Sequence, residues 1–92
     1  MIQRFRHKGL ERLFTSGNAS GVSAQHLRRV QMILAMLNVA RTPVMMEAPG
    51  LRPHALTGDR RGQWSVTVSA NWRIVFAFEG EDVTDVDLVD YH

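Results

Sequence analysis

The 92-residue sequence contains no cysteine and only one lysine, Lys8. Without thiols there are no disulfides and no thiolate metal sites, which fits a reducing compartment. Long apolar runs are also missing. The longest, Met32 to Leu37, falls far short of the ~20 residues of a membrane-spanning helix. The opening MIQRFRHKG lacks the apolar stretch of a signal peptide. A soluble, cytoplasmic protein that does not engage membranes is expected. Acids are scarce through residues 1–78, where Glu11, Glu47 and Asp59 stand against all 11 Lys+Arg residues. Residues 79–92 hold the other six acids and no Lys or Arg.

Ten of the 11 basic residues are arginine. Arginine suits bidentate phosphate contact, and a basic body suggests a polyanionic partner. A GC-rich coding bias would give the same composition, so both explanations stay open at this level. With 45% hydrophobic and 22% charged residues, the composition is that of an ordinary globular protein. A chain of this length buries about two-thirds of its unfolded surface, which supports one domain over residues 1–92.

The clearest patterning lies near the end. In QWSVTVS, Trp64, Val66 and Val68 share one phase, and Ser65, Thr67 and Ser69 share the other. After Ala70-Asn71, WRIVFAFE puts Trp72, Ile74, Phe76 and Phe78 in one phase and Arg73 in the other. This period of two predicts a pair of antiparallel strands on a core, followed by DVTDVDLVDYH after Gly80. Upstream, Met1 to Arg6 reads as a short edge strand. Leu10, Leu13 and Phe14 mark a helix ended by Gly17. SGNASG forms a turn; its glycines resemble a phosphate loop in composition only. Ser23 is the expected N-cap of a long amphipathic helix ending near Arg41, with Leu27, Val30, Ile33, Leu34 and Leu37 on its buried stripe. Met32, Met36 and Leu37 are expected to fill core space, whereas His26, Arg28, Arg29, Gln31 and Asn38 lie off the stripe. All three prolines fall in 42–53, a loop leading to a weak strand over Leu51–Leu56 and the basic turn Gly58–Gly62. The predicted class is α+β: two N-terminal helices on a small, mostly antiparallel sheet, in the order β-α-α-β-β-β-β.

Neither a zinc site nor a serine hydrolase fits. His7, His26, His54 and His92 are widely spaced, and no nucleophile elbow is present. No metal and no cofactor is expected. What remains is a set of acid–base groups with a cation: His54, Arg73, Asp90, Tyr91 and His92. Metal-free RNA cleavage needs such groups. A base takes the 2′-hydroxyl proton, an acid protonates the departing 5′-oxygen, and a cation stabilises the phosphorane. Imidazole, titrating near ~6.5 when unperturbed, serves as either acid or base. Structural alternatives stand beside this one. His54 reads equally as a surface histidine, Arg73 as the cross-strand partner of Asp87 or Asp90, and the terminal DYH as a frayed end. On a regular strand Asp90 and His92 share a face and Tyr91 does not.

These same residues carry a family resemblance. MIQRFRHKGLERLFTSG, PHALTGDRRGQWSVTVSANWRIVF and the closing VDYH together resemble the HigB-type toxins of the RelE/ParE superfamily of bacterial toxin–antitoxin systems. The resemblance implies a compact β-α-α-β fold and a ribosome-dependent endonuclease that cuts mRNA in the ribosomal A site. It also implies neutralisation by a HigA-type helix-turn-helix antitoxin, through which alone operator DNA is bound. On this matching Arg73 contacts the scissile phosphate, His54, Asp90, Tyr91 and His92 complete the active site, and Asn71 lies beside the codon. Thr57 stands where relatives often carry lysine, so Arg60 or Arg61 would have to supply that cation. Arg28, Arg29, Arg60 and Arg61 are the expected phosphate contacts to ribosomal RNA. Two other functions remain on the same fold: a gyrase poison, or a non-catalytic RNA- or ribosome-binding module.

Overall fold

The computed structural model describes residues 1–90. Helix α1 spans Lys8–Ser16 and α2 spans Leu27–Val39. They are followed by strands β1 (His54–Ala55), β2 (Gln63–Ser69), β3 (Trp72–Glu79) and β4 (Asp82–Asp90). The four strands form one antiparallel sheet in sequential order, so the α+β expectation holds.

Helix α1 starts where the His7 imidazole accepts the Leu10 N–H through Nδ1 at 3.1 Å, satisfying a donor that the first turn leaves without a partner. It ends at Gly17 in the left-handed region, φ 75°. There Gly17 N–H donates to the Leu13 carbonyl (3.0 Å), the bond of an αL closure, and Asn18 N–H donates to the Arg12 carbonyl (3.3 Å). The turn that follows allows a close backbone approach. A Cβ on Gly9 would lie 2.7 Å from the Gly21 carbonyl oxygen, and one on Gly21 would lie 2.6 Å from Gly9 Cα. SGNASG therefore serves packing, with its second glycine seated against the start of α1.

Four local expectations are corrected. Met1–Arg6 is not a regular strand: Ile2 and Phe5 make isolated parallel bridges to Val83 and Val86 of β4. These contacts are three residues apart, not two, and Asp85 at φ 55° sits in an irregular stretch of β4 between them. The N-cap of α2 is His26 rather than Ser23, and the helix stops at Val39 short of Arg41. Ser23 instead uses its backbone carbonyl to accept the His26 N–H, and His26 is buried against the Trp72 ring at 5.9 Å between centroids. Met32 is 42% exposed, leaving Leu37 and the half-buried Met36 to fill the core. The expected strand over Leu51–Leu56 shrinks to His54–Ala55, because Arg52 takes a left-handed φ of 49° and Pro53 has no N–H to pair.

The core lies between the helices and one face of the sheet. Leu10 and Leu13 of α1 and Val30, Ile33, Leu34 and Leu37 of α2 meet Val66, Ile74 and Phe76, all buried. Trp64, Trp72, Phe78 and Leu88 pack around that centre partly buried, as the alternation of the two central strands requires. Register fixes the opposite face. Ser65 faces Val75 and Thr67 faces Arg73 across β2–β3, while Val75 faces Asp87 and Arg73 faces Val89 across β3–β4. No described helix is long and apolar enough to cross a membrane.

Gly9→Ala should lower stability by about 1–3 kcal/mol, the usual cost of overpacking, because the obstructing atom is backbone and cannot rotate away. Urea unfolding would measure this, and an unchanged midpoint would rule the close approach out as a constraint.

Candidate functional site

The candidate site is built on the face of the sheet away from the helices. His54 comes from β1, directly opposite Ser65 of β2, so the two side chains share that face. His54 Nδ1 lies 3.2 Å from the Arg52 carbonyl oxygen and Nε2 lies 3.4 Å from Ser65 Oγ. Ser65 itself is 1% exposed. Arg73 enters two residues further along β2, opposite Thr67. Strand spacing puts the Cα atoms of His54 and Arg73 on the order of 12 Å apart, a gap that two inward-reaching side chains can close around a phosphate.

Arg73 is oriented by the β2–β3 turn. Its Nη1 donates to the Ala70 carbonyl at 2.6 Å and to the Trp72 carbonyl at 3.2 Å. Ala70 adopts a left-handed φ of 48°, and the register slips by one residue between Thr67 and Ser69. The turn thus points a carbonyl at the guanidinium, and Arg73 spends one nitrogen on its own backbone. Asn71 is exposed on the same turn.

Asp90 does not join this face through the strand. It pairs with Trp72, in the phase of Ile74 and Leu88, whereas Arg73 pairs with Val89. Regular pairing continues to Asp90, so β4 does not break at Val89. Tyr91 and His92 lie outside the described residues. Thr57 is exposed just before a short 3-10 turn, Gly58–Arg60. In that turn Arg60 is half-buried and donates to Gln63 Oε1 at 3.4 Å, while Arg61 is exposed.

The two helix arginines separate. Arg28 is exposed. Arg29 donates from Nε to the Thr67 carbonyl (3.3 Å) and from Nη2 to the Gly50 carbonyl (2.9 Å). It ties α2 to the proline-rich loop and to the strand residue facing Arg73. The same loop joins β2 through Thr67 N–H to the Leu51 carbonyl at 2.7 Å.

Two clefts, ≈ 400 and ≈ 450 Å³, lie away from the site, where Met1, Gln3 and Arg4 meet Glu79, Glu81, Asp82 and Thr84. Both ion pairs among the described residues belong to that edge: the Met1 amine with Asp82 at 3.4 Å and Arg4 with Asp85 at 3.0 Å. No group of three His, Asp or Glu residues among those described is placed to hold a metal ion. A strand face that carries an oriented arginine and an exposed histidine suits a polyanion.

Comparison with known proteins gives the family. A family model described as the RelE-like toxin of the type II toxin–antitoxin system HigB matches residues 3–92. The chain belongs to the HigB-like toxin family. A curated relative, "Endoribonuclease HigB" of Proteus vulgaris, is 42% identical over 92 residues, covering the whole of both chains. Membership in a type II toxin–antitoxin family means that this toxin has an antitoxin partner. The fold is thus that of a small toxin, and its central hairpin carries an oriented arginine.

Sequence reasoning missed one residue at this site, Ser65, and one on the core side of the sheet, His26. Ser65 was only one of three polar alternates on β2 until the register set it opposite His54. His26, expected off the stripe, is the buried neighbour of Trp72. No local signal marks either one, because both depend on contacts between separate elements.

Arg29→Met should destabilise the toxin by about 1–3 kcal/mol, through loss of charge-assisted bonds to two carbonyls. Arg28→Met should stay within about 0.5 kcal/mol of the parent. Equal thermal midpoints for the two variants would show that Arg29 is no clamp.

Proposed function

We propose that this chain is a toxin endoribonuclease of one domain, residues 1–92, which cleaves mRNA in the ribosomal A site without a metal or cofactor and so arrests translation. Two facts support the reading: the family, and the endoribonuclease name of a relative matched over its full length. The structural observation that carries it is His54 and Arg73 sharing one sheet face, with Arg73 held by the turn carbonyls. Arg73 would bind the scissile phosphate and stabilise the charge that develops on it. His54, Asp90, Tyr91 and His92 would supply the proton acceptor and donor for 2′-hydroxyl attack and 5′-oxygen departure. Asn71 and Thr57 would border the bound codon. The exposed Arg28 and Arg61, with Arg60 and Arg29 nearby, would hold ribosomal RNA through phosphate contacts. The antitoxin is proposed to be of the HigA helix-turn-helix type, reaching operator DNA on the toxin's behalf, and the toxin to act in the cytoplasm.

Arg73→Ala should reduce single-turnover cleavage of ribosome-bound mRNA by about 10²–10³-fold, the usual consequence of removing one oriented charge-stabilising group. The decisive assay is induction of the parent, Arg73→Ala and His92→Ala chains with free C-termini, read by primer extension on a translated transcript. Codon-phased cuts lost in both variants support the nuclease. Growth arrest without cuts would transfer the reading to a gyrase poison, and absence of arrest to a non-catalytic binding module.

Thr57 is the departure from the family pattern. Because it sits exposed at the start of the 58–60 turn, Thr57→Lys would project a cation beside the sheet face and should raise the cleavage rate. A flat or lower single-turnover rate would show that the neighbouring arginines already fill this role.

A further inference from the structure

We propose that Ser65 is the positioning residue for His54, fixing the tautomer of its imidazole and leaving Nε2 as the nitrogen that exchanges a proton with RNA. The inference deepens the nuclease reading and rests on it for its catalytic part.

The two ring nitrogens meet different partners. Nδ1 lies 3.2 Å from the Arg52 carbonyl oxygen. A carbonyl only accepts, so Nδ1 must carry the proton in this arrangement. In the neutral ring Nε2 then holds the lone pair, and its neighbour at 3.4 Å is Ser65 Oγ. A hydroxyl both donates and accepts. It donates to Nε2 of the neutral ring and accepts from Nε2–H of the imidazolium, so the pair survives a change of protonation. The Arg52 carbonyl has no such freedom, and a proton lost from Nδ1 would leave two acceptors facing each other. Proton exchange is therefore confined to Nε2, whose contact with Ser65 is long enough for an RNA hydroxyl to replace it. The proton taken there comes from the 2′-hydroxyl, or the proton given goes to the departing 5′-oxygen. Either way Nδ1–H stays on Arg52.

Ser65 suits this role because its hydroxyl is shielded from water. It is 1% exposed, and the described structure offers that oxygen the His54 ring as its side-chain partner. His54, by contrast, is exposed on a strand of two residues. One long bond to a carbonyl two residues back would not stop its ring from turning over. A second attachment, from the rigid strand β2, fixes both the plane and the sense of the ring.

The test reads the tautomer directly, with long-range proton–nitrogen NMR correlation of the histidine-labelled full-length chain at mildly alkaline pH, alongside single-turnover cleavage. The parent should show His54 as the Nδ1–H tautomer. Ser65→Ala should admit the Nε2–H form and slow cleavage by about 10-fold, a fraction of the ~10²–10⁴ that a general acid or base contributes. Ser65→Thr, which keeps the hydroxyl, should restore both readouts. A tautomer unchanged in Ser65→Ala would overturn the proposal whatever the rates. A changed tautomer with full cleavage, where His54→Ala is inactive, would overturn its catalytic part. Full cleavage by His54→Ala would instead sink the assignment of His54 to the active site, while the tautomer of Ser65→Ala would still decide the positioning role.

Discussion

The pairing of β3 with strands on both sides is the constraint on which the rest of the toxin depends. Its core phase, Ile74 and Phe76, is fully buried beneath the two helices. A slip of one residue would turn both side chains out and drive Arg73 into the core, so burial locks the register. With register locked, Arg73 must emerge on the far face opposite Thr67 and Val89. The same apolar burial that stabilises the fold therefore aims the cation.

The helices act on the site through the loop between α2 and β1. That segment makes little regular structure of its own: a 3-10 turn at Pro43–Met46 and two paired residues at His54–Ala55. It is held by Met46 and Leu51, both buried, and by Arg29, which grips the Gly50 and Thr67 carbonyls. His54 depends on this tethering, because a two-residue strand has too few ladder bonds to set a side chain by itself. An arginine on a helix thus helps to place a histidine on a strand without touching it.

Charge is divided along the same lines. The acids of residues 79–90 lie on the β3–β4 turn and along β4, where the N-terminal segment neutralises two of them. Exposed arginines lie elsewhere, among them Arg28 on α2, Arg41 and Arg52 on the loop after it, and Arg61 in the turn before β2. A polyanion is drawn to one part of the molecule and repelled by the other.

Much of this was legible in the chain itself. Strict alternation in WRIVFAFE determined that Arg73 opposes the core, because side chains on a strand must alternate. Gly17 determined the end of α1, because glycine enters the left-handed region without strain. Tertiary structure decided the rest. It put Ser65 against His54, buried His26 on Trp72, reduced Met1–Arg6 to two bridges and set Asp90 out of phase with Arg73. The reason is physical: periodicity is a property of neighbouring residues, whereas a register, a bulge or a clamp exists only once distant segments compete for the same surface.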